Sequence, residues 1–403
     1  MLSIVGRATG PAGRVVLGVA LAVVSIQVHA QPAPSDRRIA WELFLHAQQP
    51  ATEFRAIAAR DAAVFVAATD RSTLEPREAS QTRLRVWTLE SDGRRRSETE
   101  LTDLSAAESN TRTIRDIAAL GGGEALVLAD FVAGRPSLVR IDAKGSQVST
   151  RRVMPDNRTV TLMRMVPMPG GRHLLIGHES LNAIAVLVDA TGAALWDRVY
   201  DRGRMDYFVD GVATADGGAM LVGNSGTYDA MRTGDSRVWV GAYDASGIAG
   251  RELSFAGRYG RVASLADGGV AIVYDRSATL EREVHVKRLS ADLRELWDVA
   301  IDVPRKGIGD FRIVADAGGS VIVAGGSGGL AQLVSLDGAG RAESSWMATA
   351  GPKAIDVGPY GLVLDDAGDV VLAGSHVKAQ SMTNVQYQVR VRRLGEHRAQ
   401  RGL

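Results

Sequence analysis

The chain contains no cysteine. That excludes disulfides, thiolate metal sites, cysteine nucleophiles and a lipid anchor carried on an N-terminal cysteine. Lysine is confined to Lys144, Lys287, Lys306, Lys353 and Lys378, so arginine supplies nearly all the positive charge. The 47 Lys+Arg residues almost balance 46 Asp+Glu, for a net charge of +1. No global field therefore points to nucleic acid or to an anionic membrane. No segment beyond the first thirty residues carries a long helical period, and no Asp-x-Asp-x-Asp-Gly calcium loop occurs. His173 and His178 do not share a strand face, and His46, His285, His376 and His397 lie far apart, so neither a metal nor another cofactor is expected.

What is present begins with a targeting signal. Arg7 and Arg14 precede an apolar run from Val15 to Val28, and Val28-His29-Ala30 forms a small-residue cleavage site. Residues 1–30 are expected to direct export and to be removed, leaving a periplasmic or secreted chain with no integral membrane segment. An uncleaved N-terminal anchor is the alternative.

Two markers then recur about every 50 residues. A Gly-Gly turn falls at Gly123, Gly171, Gly218, Gly269 and Gly319, with degenerate copies at Ala63 and Asp369. The glycine of an Asp-x-x-Gly turn falls at Gly93, Gly145, Gly192, Gly247, Gly340 and Gly395, with Glu90 and Arg392 in the Asp place before Gly93 and Gly395 and with Leu293 as the degenerate copy. Seven units of this length fit propeller blades and not helical solenoids. Each unit reads as four short strands, A to D, because apolar runs flank both turns, as in Ala271 to Tyr274 and Val321 to Val323. Asp216-Gly217-Gly218 and Asp267-Gly268-Gly269 suit primed hairpin turns, and Asp244-Ala245-Ser246-Gly247 suits a type I turn closed by a glycine bulge.

The reading is an all-β, seven-bladed β-propeller of four-stranded antiparallel blades. Residues 31–38 are a linker, 39–395 the propeller and 396–403 a C-terminal tail. The blades lie near 53–101, 111–153, 158–200, 206–255, 259–301, 309–348 and 354–395. The last unit lacks a strand D, and the orphan strand at 39–46 carries Trp41 in the style of Trp196, Trp297 and Trp346. It is expected to close the ring by pairing with the last blade, which removes an open edge.

Short A–B and C–D turns force the long B–C and D–A connections to the opposite end. That elaborated face is the expected binding surface, and its candidate residues are Arg202, Arg204, Asp206, Tyr207, Tyr228, Arg232, Arg276 and Arg305. The repeated tryptophans are expected to pack between blades and to find partners for their N–H groups, with Trp87 and Trp239 in the core. Gly325-Gly326-Ser327-Gly328-Gly329 matches a nucleophile elbow in letters only, since a strand and not a helix should follow it, and a flexible B–C loop is expected there. The functional expectation is a monomeric module that binds a protein or glycan ligand, with no nucleic acid partner. The alternative is a propeller enzyme, whether hydrolase, lyase or quinone-dependent oxidoreductase, with its site at the channel mouth.

The units resemble those of secreted bacterial β-propellers, which read Asp-Gly-Gly, apolar strand, Gly, loop, apolar strand, Asp-x-x-Gly and then Trp. The resemblance covers nearly the whole mature chain and implies architecture. Asp189-Ala190-Thr191-Gly192-Ala193-Ala194-Leu195-Trp196 also resembles the tryptophan-docking repeat of pyrroloquinoline-quinone propellers and of a related outer-membrane assembly factor, being one residue shorter between Asp and Gly.

Overall fold

The computed structural model describes residues 38–45, 51–71, 82–102, 112–155, 157–226, 236–276, 283–302, 311–327, 330–349, 354–379 and 385–395. They form a seven-bladed β-propeller whose blades each hold four antiparallel strands in the order A-B-C-D. Strands A, in chain order, are Ala51–Arg60, Thr113–Ala119, Thr161–Pro167, Met205–Ala213, Arg258–Ser264, Arg312–Ala315 and Ala354–Leu364. Each packs against strand A of the next blade, and the last against the first, so these strands ring the central channel.

The ring closes as the sequence implies. Strand Arg38–Leu45 pairs antiparallel with Val385–Gly395, strand C of blade 7, and so supplies that blade's strand D. Glu42 accepts from Arg390 at 2.8 Å and from Arg392 at 2.6 Å across this pairing, and Leu45 is buried. A single parallel bridge, Ala51 to Tyr387, joins the closed blade 7 to blade 1.

Among the described residues the core is divided into seven apolar clusters, one at each seam between blades. Branched and aromatic side chains on both faces of strands B and C fill them, as twisted, face-packed sheets require. Trp87 and Trp239 are fully buried, as expected of core residues. On the outside, the strand-D tryptophans lock one blade to the next. Trp41, Trp196 and Trp297 donate their indole N–H to Ser91, Ala245 and Gly338, carbonyls in the C–D turn of the following blade, at 2.8, 3.2 and 3.0 Å.

Three local expectations are corrected. The Asp-Gly-Gly turns are not primed: only Gly217 and Gly268 have positive φ, and Gly217 N donates to Thr214 O while Thr214 N donates to Gly218 O. That is the same type I turn with a glycine bulge as the Asp-x-x-Gly turns. The second glycine is needed for space, since a Cβ on Gly218 would lie 2.2 Å from Tyr243 O. Next, Gly325 to Ser327 belong to strand B of blade 6 (Val321–Ser327) and not to a loop, and Leu330 opens strand C. Finally, the elaborated end is uneven. Blades 2 and 3 close B–C with two residues, Ala133-Gly134 and Ser180-Leu181, and Gly257 alone joins blade 4 to blade 5.

Candidate functional site

The site is built from the starts of strands A and the ends of strands B, both of which reach the long-connection end of the channel. Strand A bulges there in most blades. Arg55, Arg115, Met163 and Val209 are single extra residues, and in blade 5 Tyr259 and Gly260 together oppose Tyr274, again one extra residue. Bulges re-aim side chains and increase twist. Tyr259 pays for its position with φ of 58°, a left-handed conformation that bulky side chains avoid at a cost of about 1–2 kcal/mol.

Tyr259 lies with Tyr207 and Arg261 in one electrostatic neighbourhood. Burial pushes the Tyr207 hydroxyl above its usual range, Asn224 beside it pulls the other way, and Tyr259 and Arg261 add smaller opposing influences. His178, at the end of strand B in blade 3 (His173–Glu179), meets the Tyr207 ring edge-on with centroids 6.4 Å apart. Arg258 stands 5.5 Å from the Tyr259 ring centre and reaches the buried carboxylate of Asp275 at 3.4 Å. Blades 3, 4 and 5 thus bring two tyrosines, a histidine, an amide and Arg258 to one sector of the mouth, with Arg261 below them. The adjoining connections are the short ones, Ser180-Leu181, 201–204 and Gly257.

Deeper in the channel a charged level runs through five blades. Asp116, Arg164, Asp210, Arg261 and Arg312 stand opposite the fourth residue of the apolar run in strands B, at Leu128, Ile176, Val222, Val273 and Ala324. Gly361 holds the same place in blade 7, and Ala56 of blade 1, likewise the first residue after the bulge, stands opposite Ala67, the fifth residue of its strand B. Arg164 bridges both seams beside it, 3.0 Å from Asp116 and 3.3 Å from Asp210. Each acid also accepts a backbone N–H of the next blade, Met165 at 2.8 Å and Val262 at 3.1 Å. Burial pushes the Asp116 carboxyl up and Arg164 opposes it, while the Asp116 charge is the largest influence holding Arg164 protonated.

The residues singled out from sequence are distributed differently. Asp206 and Tyr207 lie in strand A of blade 4 and not in a connection. Asp206 is wholly buried. One of its oxygens accepts Arg202 N at 3.0 Å, and the other has no hydrogen-bond partner among the described residues. The Arg202 guanidinium stacks 4.0 Å from the Trp239 ring centre and pairs with Glu252, so it braces the seam. Arg204 is in the 201–204 connection, and Arg276 is exposed at the base of the next one, its N–H donating to Glu283 O at 2.9 Å. Tyr228, Arg232 and Arg305 lie outside the described residues. Of the eight, Tyr207 alone joins the mouth cluster described above.

A second polar group, not singled out from sequence, fills the outer part of the seam between blades 4 and 5. Asp298 accepts from Tyr274 at 2.7 Å, His285 at 2.9 Å and Lys287 at 2.8 Å. Burial opposes its ionisation, yet these three donors together hold the carboxyl below the usual carboxylate range. Lys287 is 4% exposed, pairs with Glu295 and lies 4.9 Å from the Phe255 ring of blade 4. These hydrogen bonds and ion pairs join strands B, C and D of blade 5, and the Phe255 ring of blade 4 packs against them.

No protein-family model and no curated protein matches the chain. Solved structures resemble it in fold. The WD40 domain of Toxoplasma gondii coronin aligns over 92% of this chain and 90% of its own, with a TM-score of 0.54 at 10% identity. Drosophila plexin A, in complex with semaphorin 1b, aligns over 90% of this chain and 88% of its own, with a TM-score of 0.50 at 10% identity. At such identity the likeness is one of propeller architecture.

Proposed function

We propose that the protein is an exported binding module whose long-connection face receives a protein or glycan ligand in the cell envelope or outside the cell. The observation that carries this reading is Tyr259. A tyrosine held at φ of 58° in a bulge, where Tyr259 and Gly260 together oppose one residue of strand B, is local strain, and such strain persists where the surrounding structure serves a site. Tyr207, His178 and Asn224 beside it supply ring faces and hydrogen-bonding groups of the kind that recognise ligands on rigid scaffolds. The two solved propellers above agree with an interaction role as a matter of architecture alone. Arg202, Arg204, Asp206 and Arg276 frame this sector, and Tyr228, Arg232 and Arg305 belong to the same proposed face.

Export from residues 1–30 accompanies this reading, and among the described residues no helix is long and apolar enough to cross a membrane. Photo-crosslinking in the producing cell tests the face. A benzophenone amino acid at position 207 or 259 is expected to trap a discrete adduct, and the same group on the outer rim at Leu195 is not. Equal labelling from all three positions, or none from 207 and 259, overturns the reading. N-terminal sequencing of the fractionated protein checks export, with Gln31 expected as the first residue.

A further inference from the structure

We propose that Asn224, at the top of the seam between blades 4 and 5, receives neighbouring hydroxyl groups of a neutral sugar, so that the ligand of the mouth is a glycan. The inference rests on the binding reading above and names its ligand class. It comes from one column of the repeats. Two residues beyond the strand-B residue that faces the charged level stand Thr69, Asp130, His178, Asn224, Asp275, Gly326 and Ser375, in blades 1 to 7. Most of these side chains have a partner close by. Thr69 accepts from Arg55 at 3.1 Å, Asp130 from Arg115 at 2.9 Å, Asp275 from Arg258 at 3.4 Å and Ser375 from the Phe54 N–H at 3.0 Å. His178 Nδ1 lies 3.2 Å from the Ser180 carbonyl. Asn224 differs. It is 3% exposed, and neither its amide oxygen nor its amide nitrogen has a hydrogen-bond partner among the described residues. The Tyr207 hydroxyl is near enough to feel the amide dipole without reaching hydrogen-bond geometry.

A buried amide left unpaired on both atoms is costly and rare in folded proteins. Asn224 shares a strand face with Met220 and Val222, which pack in this seam, and it stands opposite Tyr207. The strand-A residue ahead of the bulge is apolar and buried in blades 1 to 4, as Phe54, Ile114, Leu162 and Phe208. In blade 5 that place falls to Tyr259, which is half-buried and whose φ of 58° aims its side chain differently from an extended residue. Gly257 alone links strand D of blade 4 to strand A of blade 5, so no long D–A connection overhangs the seam. What the amide lacks is one donor and one acceptor side by side. An anion or a cation meets half of that need. A sugar hydroxyl both donates and accepts, and two on neighbouring ring carbons match the two amide atoms. A peptide amide offers the same pairing but brings a Cα on each side, whereas a hydroxyl edge is slim enough to pass between the Tyr207 and Tyr259 side chains. Those rings offer apolar faces to sugar C–H groups and hydroxyls to sugar oxygens. Relaxation of Tyr259 toward an extended φ moves its ring and opens the way to Asn224.

Asn224→Leu tests the site in two ways. It removes the unpaired amide at nearly constant volume, so without ligand the variant is expected to melt about 1–4 °C above wild type. The binding probes are immobilised neutral oligosaccharides of glucose, galactose, mannose and N-acetylglucosamine. Wild type is expected to bind at least one of them saturably, and Asn224→Leu to bind it about tenfold more weakly or worse. Arg251→Gln, on the exposed outer rim, leaves that binding unchanged. A lower melting point for Asn224→Leu means that the amide holds the seam together, and it overturns the proposal. Sugar binding that Asn224→Leu does not weaken overturns it too, as does the absence of saturable binding to every probe. Crosslinks from positions 207 and 259 to a polypeptide, with no sugar bound, keep the module reading and remove the glycan. Sugar binding that depends on Asn224, without any adduct in the producing cell, keeps the sugar site and removes the module reading.

Discussion

Replacing Gly247 by alanine isolates what the recurring C–D turn does for the ring. The residue sits at φ of 78°, and a Cβ there would lie 2.7 and 2.9 Å from ring carbons of Trp196, which docks from blade 3. Two costs add. The left-handed backbone costs an alanine about 1–2 kcal/mol, and forcing the indole to move costs about 1–3 kcal/mol. The stiffer unfolded chain returns about 0.4–1 kcal/mol, so Gly247→Ala is expected to destabilise by about 2–4 kcal/mol. Gly319 is the internal control, with φ of 83° and nothing within 4 Å of its imagined Cβ. Gly319→Ala then carries the backbone part alone, about 1 kcal/mol. Urea unfolding followed by tryptophan fluorescence measures both, and a double-mutant cycle with Trp196→Ala separates the packing part. The expected coupling between positions 196 and 247 is about 1–3 kcal/mol. Equal losses for the two glycine variants, or additive losses in the cycle, would refute the argument that the glycine makes room for the neighbouring blade.

Three further outcomes follow from the same geometry. The A–B turn of blade 1 places both Asp61 and Ala62 at positive φ, 52° and 59°, so Ala62→Gly should raise stability by about 0.5–1 kcal/mol in the same denaturation assay. Glu42→Gln weakens the clasp on Arg390 and Arg392, and a loss of about 1–3 kcal/mol is expected, detected as a lower melting temperature. Asp298 has a folded-state pKa below its unfolded value. Its contribution is therefore present above the unfolded pKa near 4 and is lost as pH falls through the lower folded pKa. Asp298→Asn should thus cost stability at pH 7 and approach the wild type as both are melted at pH 4, 3 and 2. A constant difference across that range would mean that the charge plays no part.

Much of the architecture was legible because turns are local. Gly93, Gly145, Gly247 and Gly340 mark positions where backbone and neighbour both demand glycine, and their period counts the blades. Even the degenerate copy is informative, since Leu293 takes φ of 61° in a turn of the same hydrogen-bond pattern. Ring closure was legible by elimination, from one strand too many at 39–46 and one too few in the last unit. Connection lengths were read less well, because Gly325 and Asn224 continue strands that the sequence presents as loop-like. The mouth was the least legible part. Tyr259 follows an arginine and a glycine in an unremarkable run, and only the register with Asp275 and Val273 shows the bulge that it shares with Gly260. The charged level did leave a trace, since its residues stand seven or eight places before each Gly-Gly marker, from Ala56 to Gly361. Reading that column across the seven units gives Ala, Asp, Arg, Asp, Arg, Arg, Gly, which no single blade reveals.

The closure of blade 7 also sets the order of events in folding. Each of the first six blades can assemble from neighbours in sequence, but Glu42 meets Arg390 at a separation of 348 residues. Contacts of such separation form late, because the chain between them must be ordered first. Strand Arg38–Leu45 is thus made early and must wait, its apolar residues unpaired, until strand C of blade 7 arrives. The last kinetic phase of refolding should be the zipping of this one seam, and mutations in it, Glu42→Gln among them, should change that phase while leaving the earlier blade-by-blade phases untouched.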